Sequence, residues 1–422
     1  MDMTDSSLPG FRDFYPQECA RRNYILEGWK RVARRYGFVE YDGPTLEATD
    51  LYRRKSGDEI VGQLFQFQDK GEREVALRPE MTPTLARMVV AREREFKKPI
   101  KWFCAPTFFR YEKQQKGRLR EFIQFNADLI GDDSAAADAE IISLVIDSLL
   151  EFGLKPEDFL VRISNRKAWQ EFFEQNNLPL ENLQEFLQIV DKIERVPEET
   201  TTQKLEASGT SLAAVRNFIQ TAQTSSRIVG ALTDDLDARG FAGYYEVDLT
   251  IVRGLAYYTG TVFEVFDRSL ENRAIAGGGR YDDLLEKFSD GKVNLPAIGV
   301  GIGDVVLGNL LDSLDHTRTK MEEAIAKNRN LDGYLMINDE SQRPEMIRLA
   351  TQLRRQGYRM DFALRPMKLN KQFQAAENAG AQLALILQKD AQNISVKILA
   401  TREEKMVARE DLETVLKSLR AV

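Results

Sequence analysis

The chain has 422 residues, 43% of them hydrophobic and 30% charged, with a net charge of −7 and a single histidine. That length exceeds what one hydrophobic core usually covers, so two or three domains are expected. No apolar run approaches the ~20 residues of a membrane span, and the N-terminus lacks the basic and apolar regions of a secretory signal, so the expectation is a cytoplasmic protein with no membrane attachment. The lone His316 lies in the polar stretch SLDHTRTK. Its isolation excludes His-rich zinc sites, Ser-His-Asp triads and Cys-His dyads. Cys19 and Cys104 are too far apart in sequence for a zinc or redox motif. Chemistry is left to carboxylates, arginines, tyrosines and amides.

Residues 18–36 place Ile25, Trp29, Val32, Ala33 and Tyr36 on one face, which predicts a helix stopped by Gly37. A short strand follows and breaks at Gly43-Pro44, because proline is tolerated only at a strand end or edge. Between about 61 and 130 the segments QLFQFQD, EVALRPE, KWFCAPTFFRYE and REFIQFNADLIG read as strands, the last two as a hairpin across the polar loop Lys113–Gly117. Successive strands without intervening helices argue for an antiparallel sheet. Residues 134–153 read as a buried helix and FLVRISN as a strand. The polar, Gln/Glu-rich stretch 167–235 reads as an inserted helical subdomain, and strand character returns over 244–267. Glycine-punctuated segments follow, Ala276–Gly279 and PAIGVGIGDVVLGNLL.

Past a charged linker near 313–330 the pattern becomes an alternation of strands (YLMIN, YRMDFAL, LALILQ, ISVKIL) and helices. One of those helices has Met346, Leu349, Ala350 and Leu353 on a single face. The order predicts a small, mostly parallel α/β domain over 331–422. That stretch carries 15 Lys+Arg against 12 Asp+Glu, a balance of +3, while the rest of the chain stands at −10. A mildly basic domain on an acidic body permits nucleic-acid contact, and an ordinary solvated surface accounts for the charge as well.

The strand Glu121–Gly131 is the most informative local feature. With period two, Ile123, Phe125, Ala127 and Leu129 face one way and Gln124, Asn126 and Asp128 the other. The polar face reads either as a solvated outer side or as a pocket floor, since long amides and carboxylates are poor strand formers. Arg110 and Glu112 end the hairpin partner, and Arg118 and Arg120 follow the loop, so fixed cations stand beside fixed carboxylates and amides. Arginine's planar fork suits phosphate oxygens, and a carboxylate with an amide suits an ammonium group. Segment Arg78–Pro83 reads as a capped helix start, or as the rim of the same sheet with Glu80 and Thr82 as acceptors for an amine. Arg253-Gly254 and the run Gly277–Gly279 before Arg280-Tyr281 allow close backbone approach to a ligand, or simply tight packing. Gly299, Gly301 and Gly303 do not complete a dinucleotide-binding pattern, because Asp304 takes the last position.

Taken in order, these segments resemble the histidyl-tRNA synthetase family of class II aminoacyl-tRNA synthetases over nearly the whole chain. LPGFRDFYP at 8–16 is similar to the family's opening motif, and the first helix with the Gly43-Pro44 strand to motif 1, which builds a dimer interface in the family. FRYE at 109–112 with GRLREFIQF at 117–125 resembles motif 2, VRGLAYYTG (252–260) and AGGGRYDDL (276–284) the two histidine signatures, and PAIGVGIGDVVLG motif 3. The resemblance implies an α+β fold: an antiparallel sheet flanked by helices, with catalytic core over 1–166 and 236–325, helical insertion over 167–235 and an anticodon-binding α/β domain over 331–422. It further implies a ligase that uses ATP with Mg²⁺ to make histidyl-adenylate from L-histidine and passes the histidyl group to tRNA(His), as a homodimer. Mg²⁺ ligands are not identified by it.

Carried over residue by residue, the resemblance puts Arg110 and Arg253 on the α-phosphate. Glu112 and Arg118 fall near the adenine and distal phosphates, and Glu80, Thr82 and Gln124 at the substrate ammonium. Asp128 and Tyr258 fall where the imidazole is read, with Tyr257 and Tyr281 lining the pocket. Three positions depart from the family pattern: Val306 stands for the motif 3 arginine, Ala256 for an aspartate of the first signature, and Asp128 for a glutamate. They keep open a non-catalytic relative, the regulatory subunit of ATP phosphoribosyltransferase, or a silent RNA-binding relative. Against the first, that subunit normally lacks the C-terminal domain and tends to lose residues equivalent to Arg110, Gln124 and Arg253.

Overall fold

A computed structural model describes residues 7–53, 61–112, 117–193, 196–224, 229–253, 257–269, 273–388 and 392–420. Residues 113–116 of the hairpin loop and Gly254-Leu255-Ala256 lie outside them. The chain divides into two units, 1–320 and 321–422.

In the first unit the strands are β1 (Val39–Glu40), β2 (Leu46–Ala48), β3 (Gln66–Gln68), β4 (Glu74–Leu77), β5 (Ile100–Cys104), β6 (Thr107–Phe109), β7 (Glu121–Ile130), β8 (Phe159–Asn165), β9 (Tyr245–Val247), β10 (Thr261–Asp267), β11 (Ala276–Arg280) and β12 (Ala297–Gly303). The main sheet runs β1-β5-β7-β12-β11-β10-β8-β9, with β6 also on β7. Its pairs are antiparallel except β1 with β5 and β8 with β9. A smaller antiparallel sheet, β2-β4-β3, stands apart.

Register follows from burial. Phe125, Ala127 and Leu129 on β7 and Ile298, Val300 and Ile302 on β12 form one core. Trp29 and Val32 of the helix Pro16–Arg35 pack into it, as do Ile141, Leu144 and Val145 of the helix Ala135–Leu150. Each of the larger of these side chains contributes about 1.5–3 kcal/mol on burial, and a one-residue slip would turn the whole apolar set to the other face. The same constraint commits Gln124, Asn126 and Asp128 to the opposite side of the sheet.

Helices Arg166–Gln175, Leu183–Val190, Glu198–Ala207 and Leu212–Thr224 have their own core, with Trp169, Phe172, Phe173 and Phe186 at its centre. Leu249 and Val252 also belong to it. The helix Gly230–Ala238 instead buries Leu232 and Leu236 in the main core.

The second unit carries β13 (Gly333–Met336), β14 (Met360–Phe362), β15 (Leu383–Leu387), β16 (Asn393–Ile398) and β17 (Glu404–Ala408), in the order β14-β13-β15-β16-β17. Met346, Leu349, Ala350 and Leu353 are buried from the helix Arg343–Arg355, as their spacing predicts. The sheet is mixed rather than mostly parallel: β13 is parallel to β14 and β15, and the β15–β16 and β16–β17 pairs are antiparallel. Residues 388–392 between β15 and β16 are too few for the crossover that a parallel pair needs. Strand β17 escapes the sequence reading because Val407 is its one buried residue, which leaves no alternation to detect.

Candidate active site

Asp128 and Asn126 lie opposite Gly299 and Gly301 of β12. A Cβ on residue 299 would stand 2.1 Å from Asp128 Oδ1, and one on 301 would stand 2.5 Å from Gln124 Nε2. The glycines of β12 thus leave their space to the polar side chains of β7. Above this floor is an inner chamber of about 230 Å³, adjoining an outer one of about 860 Å³. Arg110, Glu112, Arg118, Gln124 and Arg253 line both.

All eleven residues singled out in the sequence line the inner chamber: Glu80, Thr82, Arg110, Glu112, Arg118, Gln124, Asp128, Arg253, Tyr257, Tyr258 and Tyr281. Glu80 and Thr82 stand at the start of the helix Thr82–Arg92, whose N-cap residue is Met81, so neither occupies the N-cap position itself. Arg78 is buried and donates to Asp42 Oδ1 at 2.9 Å and to the carbonyls of Gly43 and Thr107, which fixes this strap to the sheet. Arg110 Nε donates to the Pro79 carbonyl at 2.9 Å, and its guanidinium lies 5.1 Å from the Phe122 ring centre. Glu112 and Arg118 form an ion pair.

Arg253 enters from a turn at φ +49°, a left-handed backbone that favours glycine. Its Nη1 is 3.4 Å from Glu264 Oε1, and its guanidinium crosses the place a Cβ on Gly277 would take. Burial opposes the charge, and Tyr258 and Glu264 outweigh that effect, so the guanidinium stays cationic. Asp128 accepts a 2.6 Å hydrogen bond from the Tyr281 hydroxyl. Burial pushes its carboxyl up to about 7, with that hydrogen bond pulling downward. Burial also pushes the phenols of Tyr257, Tyr258 and Tyr281 up, so all three serve as O–H donors. The chamber therefore offers two buried carboxyls, Glu80 and Asp128, with neutral donors beside Asp128, and three arginines, Arg110, Arg118 and Arg253, where it meets the outer chamber.

Several contributors were not singled out as site residues. Asn126 lines the inner chamber and accepts from Gln124 Nε2 at 3.0 Å, and its place on the polar face of β7 was the available signal. Asp304, which breaks the dinucleotide-binding pattern, accepts from the Ile123 backbone N–H at 2.9 Å and pairs with Arg12 at 2.7 Å, so the segment 8–16 braces β7. Glu264 on β10 faces Arg253, which lies in the segment before that strand, and local sequence does not show the pairing. Val306 lines the outer chamber. His316 is exposed, with Nε2 3.1 Å from Asp158 Oδ2, and lines neither chamber.

Residues 10–303 match the family model described as histidyl-tRNA synthetase, and residues 325–419 match an anticodon binding domain. The histidine–tRNA ligase of Opitutus terrae is 43% identical to this chain, with 98% of each covered. Among solved structures, histidyl-tRNA synthetase from Nostoc sp. PCC 7120 gives a TM-score of 0.76 over 99% of both chains at 23% identity. A Bacillus halodurans protein described as an ATP phosphoribosyltransferase regulatory subunit/histidyl-tRNA synthetase gives 0.71 at 22% identity, over 92% of this chain and 99% of that one. At these identities the two structures speak for the fold.

Proposed function

The chain belongs to the histidyl-tRNA synthetase family and catalyses histidine–tRNA ligation with ATP as substrate; from that premise we propose how its residues divide the work. The observation that carries the proposal is that Arg110 and Arg253 both line the junction of a small polar chamber with a nucleotide-sized one.

The inner chamber takes the histidine. Glu80, Thr82 and Gln124 hold its α-ammonium, Asp128 and Tyr258 read the imidazole nitrogens, and Tyr257 and Tyr281 close the walls. A site built to hydrogen-bond its substrate rejects an isostere lacking those groups by ~10⁴–10⁵-fold. The outer chamber takes ATP, with Glu112 and Arg118 toward the adenine and distal phosphates. A histidine carboxylate oxygen attacks the α-phosphorus in line, the bond to the bridging oxygen breaks, and pyrophosphate leaves. The 3′-terminal ribose hydroxyl of tRNA(His) then attacks the acyl carbon, and AMP leaves. Arg110 and Arg253 neutralise charge on the α-phosphoryl oxygens, so catalysis is positioning plus electrostatics, with no enzyme nucleophile.

Mg²⁺ enters this reading as an ion carried on the phosphates of ATP. Among the described residues no group of three or more His, Cys, Asp or Glu side chains is assembled to hold a metal. Glu112 and Glu264 are both engaged by arginines. No step is assigned to a protein-held metal. Residues 1–166 and 236–325 serve as catalytic core, 167–235 as an insertion and 331–422 as the part that binds the anticodon. The helix Pro16–Arg35 and the strand after it serve a homodimer in the cytoplasm. The match to an anticodon binding domain disfavours the regulatory-subunit reading. The test is ATP–pyrophosphate exchange with histidine, the other amino acids serving as controls. Exchange that histidine does not stimulate, or that Arg253→Ala leaves near normal, would overturn this division of labour.

A further inference from the structure

Arg166 opens the helix Arg166–Gln175 and lines neither chamber, yet it is buried and bonded entirely to the segment that delivers Arg253. Its backbone N–H donates to the Gly260 carbonyl at 3.0 Å. Its guanidinium donates from Nε to the Val252 carbonyl at 3.1 Å, from Nη1 to Tyr258 at 2.8 Å and from Nη2 to Arg253 at 2.8 Å. One planar fork therefore grips both ends of the loop through which Arg253 and Tyr258 reach the site.

The backbone at Arg253 needs such a grip. Arg253 stands at φ +49°, which a residue with a side chain adopts only where its surroundings over-determine it. Its guanidinium runs over Gly277 and beside Glu264. A second anchor comes from the same helix: Trp169 Nε1 donates to the Leu249 carbonyl at 3.1 Å. Leu249 and Val252 are buried in one cluster with Trp169, Phe172 and Phe186. The turn behind Arg253 is thus part of the core of the helices that follow Arg166.

We propose that Arg166 is a positioning residue for adenylate formation, holding the carbonyls of Val252, Arg253 and Tyr258 so that Arg253 reaches the α-phosphate, and that it ties this step to the helical segment it begins. The inference rests on the assignment of Arg253 to the α-phosphate. Arginine is required because three separated carbonyls match its fixed fork, whereas a lysine ammonium is a point charge. Glutamine has two N–H donors on one nitrogen, too few for the three carbonyls that Nε, Nη1 and Nη2 serve, so it leaves buried acceptors unpaired.

The test compares Arg166→Gln, Arg166→Lys, Arg253→Ala and the double variant Arg166→Gln/Arg253→Ala in histidine-dependent ATP–pyrophosphate exchange, with melting temperatures measured in parallel. Arg166→Gln is expected to lower kcat on the order of 10²-fold, as a misplaced catalytic group does, while KM for ATP moves less than about threefold. Arg166→Lys recovers part of the loss, and in the Arg253→Ala background the glutamine costs nothing further. Should the glutamine variant fail to fold, the kcat of the lysine variant decides, with Trp169→Phe as a milder break of the second anchor. A wild-type kcat in Arg166→Gln, a loss that only tracks the unfolded fraction, or additive losses in the double variant would overturn the proposal. Near-normal exchange in Arg253→Ala would instead remove the assignment of Arg253, whereas an inactive Arg253→Ala beside a normal Arg166→Gln removes Arg166 alone.

Discussion

Asp128 on β7 and Gly299 on β12 are cross-strand partners, and a Cβ on residue 299 would lie 2.1 Å from the Asp128 carboxylate oxygen. The same Cβ would stand 3.2 Å from the Tyr281 ring, so the space belongs to the hydrogen-bonded pair of Asp128 and Tyr281. Gly299→Ala is expected to turn the carboxylate away from the imidazole while the strands stay paired. KM for histidine should rise by about tenfold or more, a factor worth roughly 1.4 kcal/mol, with KM for ATP nearly unchanged. Exchange kinetics across a histidine titration measure it. An unchanged histidine KM would mean that Asp128 does not need the position it holds.

Gly277 and Gly278 are neighbours on β11 with opposite burdens. A Cβ at 277 would meet the far end of the Arg253 side chain, which can move. A Cβ at 278 would stand 2.2 Å from the Gly299 carbonyl, which cannot move without parting β11 from β12. Gly277→Ala should therefore melt close to wild type but lose ~10²–10³-fold in kcat, the usual effect of displacing a donor from a developing charge. Gly278→Ala should lose stability by about 1–3 kcal/mol or more through overpacking. Calorimetry and exchange assays on the two variants separate these outcomes. A destabilised but active Gly277→Ala would contradict the path drawn for Arg253.

Much of the site was legible because β7 alternates strictly. Ile123, Phe125, Ala127 and Leu129 had to be buried together, which left Gln124, Asn126 and Asp128 for the other face. The helix with Met346, Leu349, Ala350 and Leu353 was legible by the same logic at helical period. The role of the β12 glycines was not, because it depends on their being paired with Gln124, Asn126 and Asp128, and strand pairing is non-local. Arg166 was hidden for a related reason: its partners lie 86 to 92 residues away and are backbone carbonyls, which carry no side-chain identity. The contribution of Asp304 to bracing β7 likewise spans distant segments, through Arg12 and Ile123.

The second unit matches an anticodon binding domain, and residues 331–422 carry a balance of +3 on a chain whose net charge is −7. Contacts between Lys or Arg and phosphate release counterions, so affinity falls with salt at a slope of about −0.7 to −0.9 per phosphate contact. Raising KCl from about 50 to 200 mM should increase KM for tRNA at least fivefold in aminoacylation, the effect of only a few such contacts. Histidine-dependent exchange, which uses no tRNA, should change little over the same range. A salt-insensitive KM for tRNA would rule out phosphate contacts as the main source of affinity.

The buried carboxyl of Asp128 also sets how stability depends on pH. Burial raises it from an ordinary 3.8 to about 7. In the unfolded chain this group releases its proton near the ordinary value. Between about pH 4 and 7 the folded protein thus holds a proton that the unfolded chain has lost. Stability contributed by this group is present below about pH 4 and falls as the pH rises through that window. Above it the folded state carries the whole penalty, on the order of 4 kcal/mol. Asp128→Asn keeps the shape and removes the charge, so without histidine the variant should melt above wild type at pH 8, and the difference should vanish near pH 4. The same change removes the anionic acceptor for the imidazole N–H, so kcat/KM for histidine should fall by about 10²-fold or more, as for a buried donor left with the wrong partner. Calorimetry at the two pH values and exchange kinetics at pH 8 test both halves. Equal melting at pH 8 would show that the carboxylate is not desolvated, and retained exchange would take Asp128 out of imidazole recognition. A substitution that stabilises the protein while silencing it is expected where binding chemistry, rather than folding, has placed a charge in the interior.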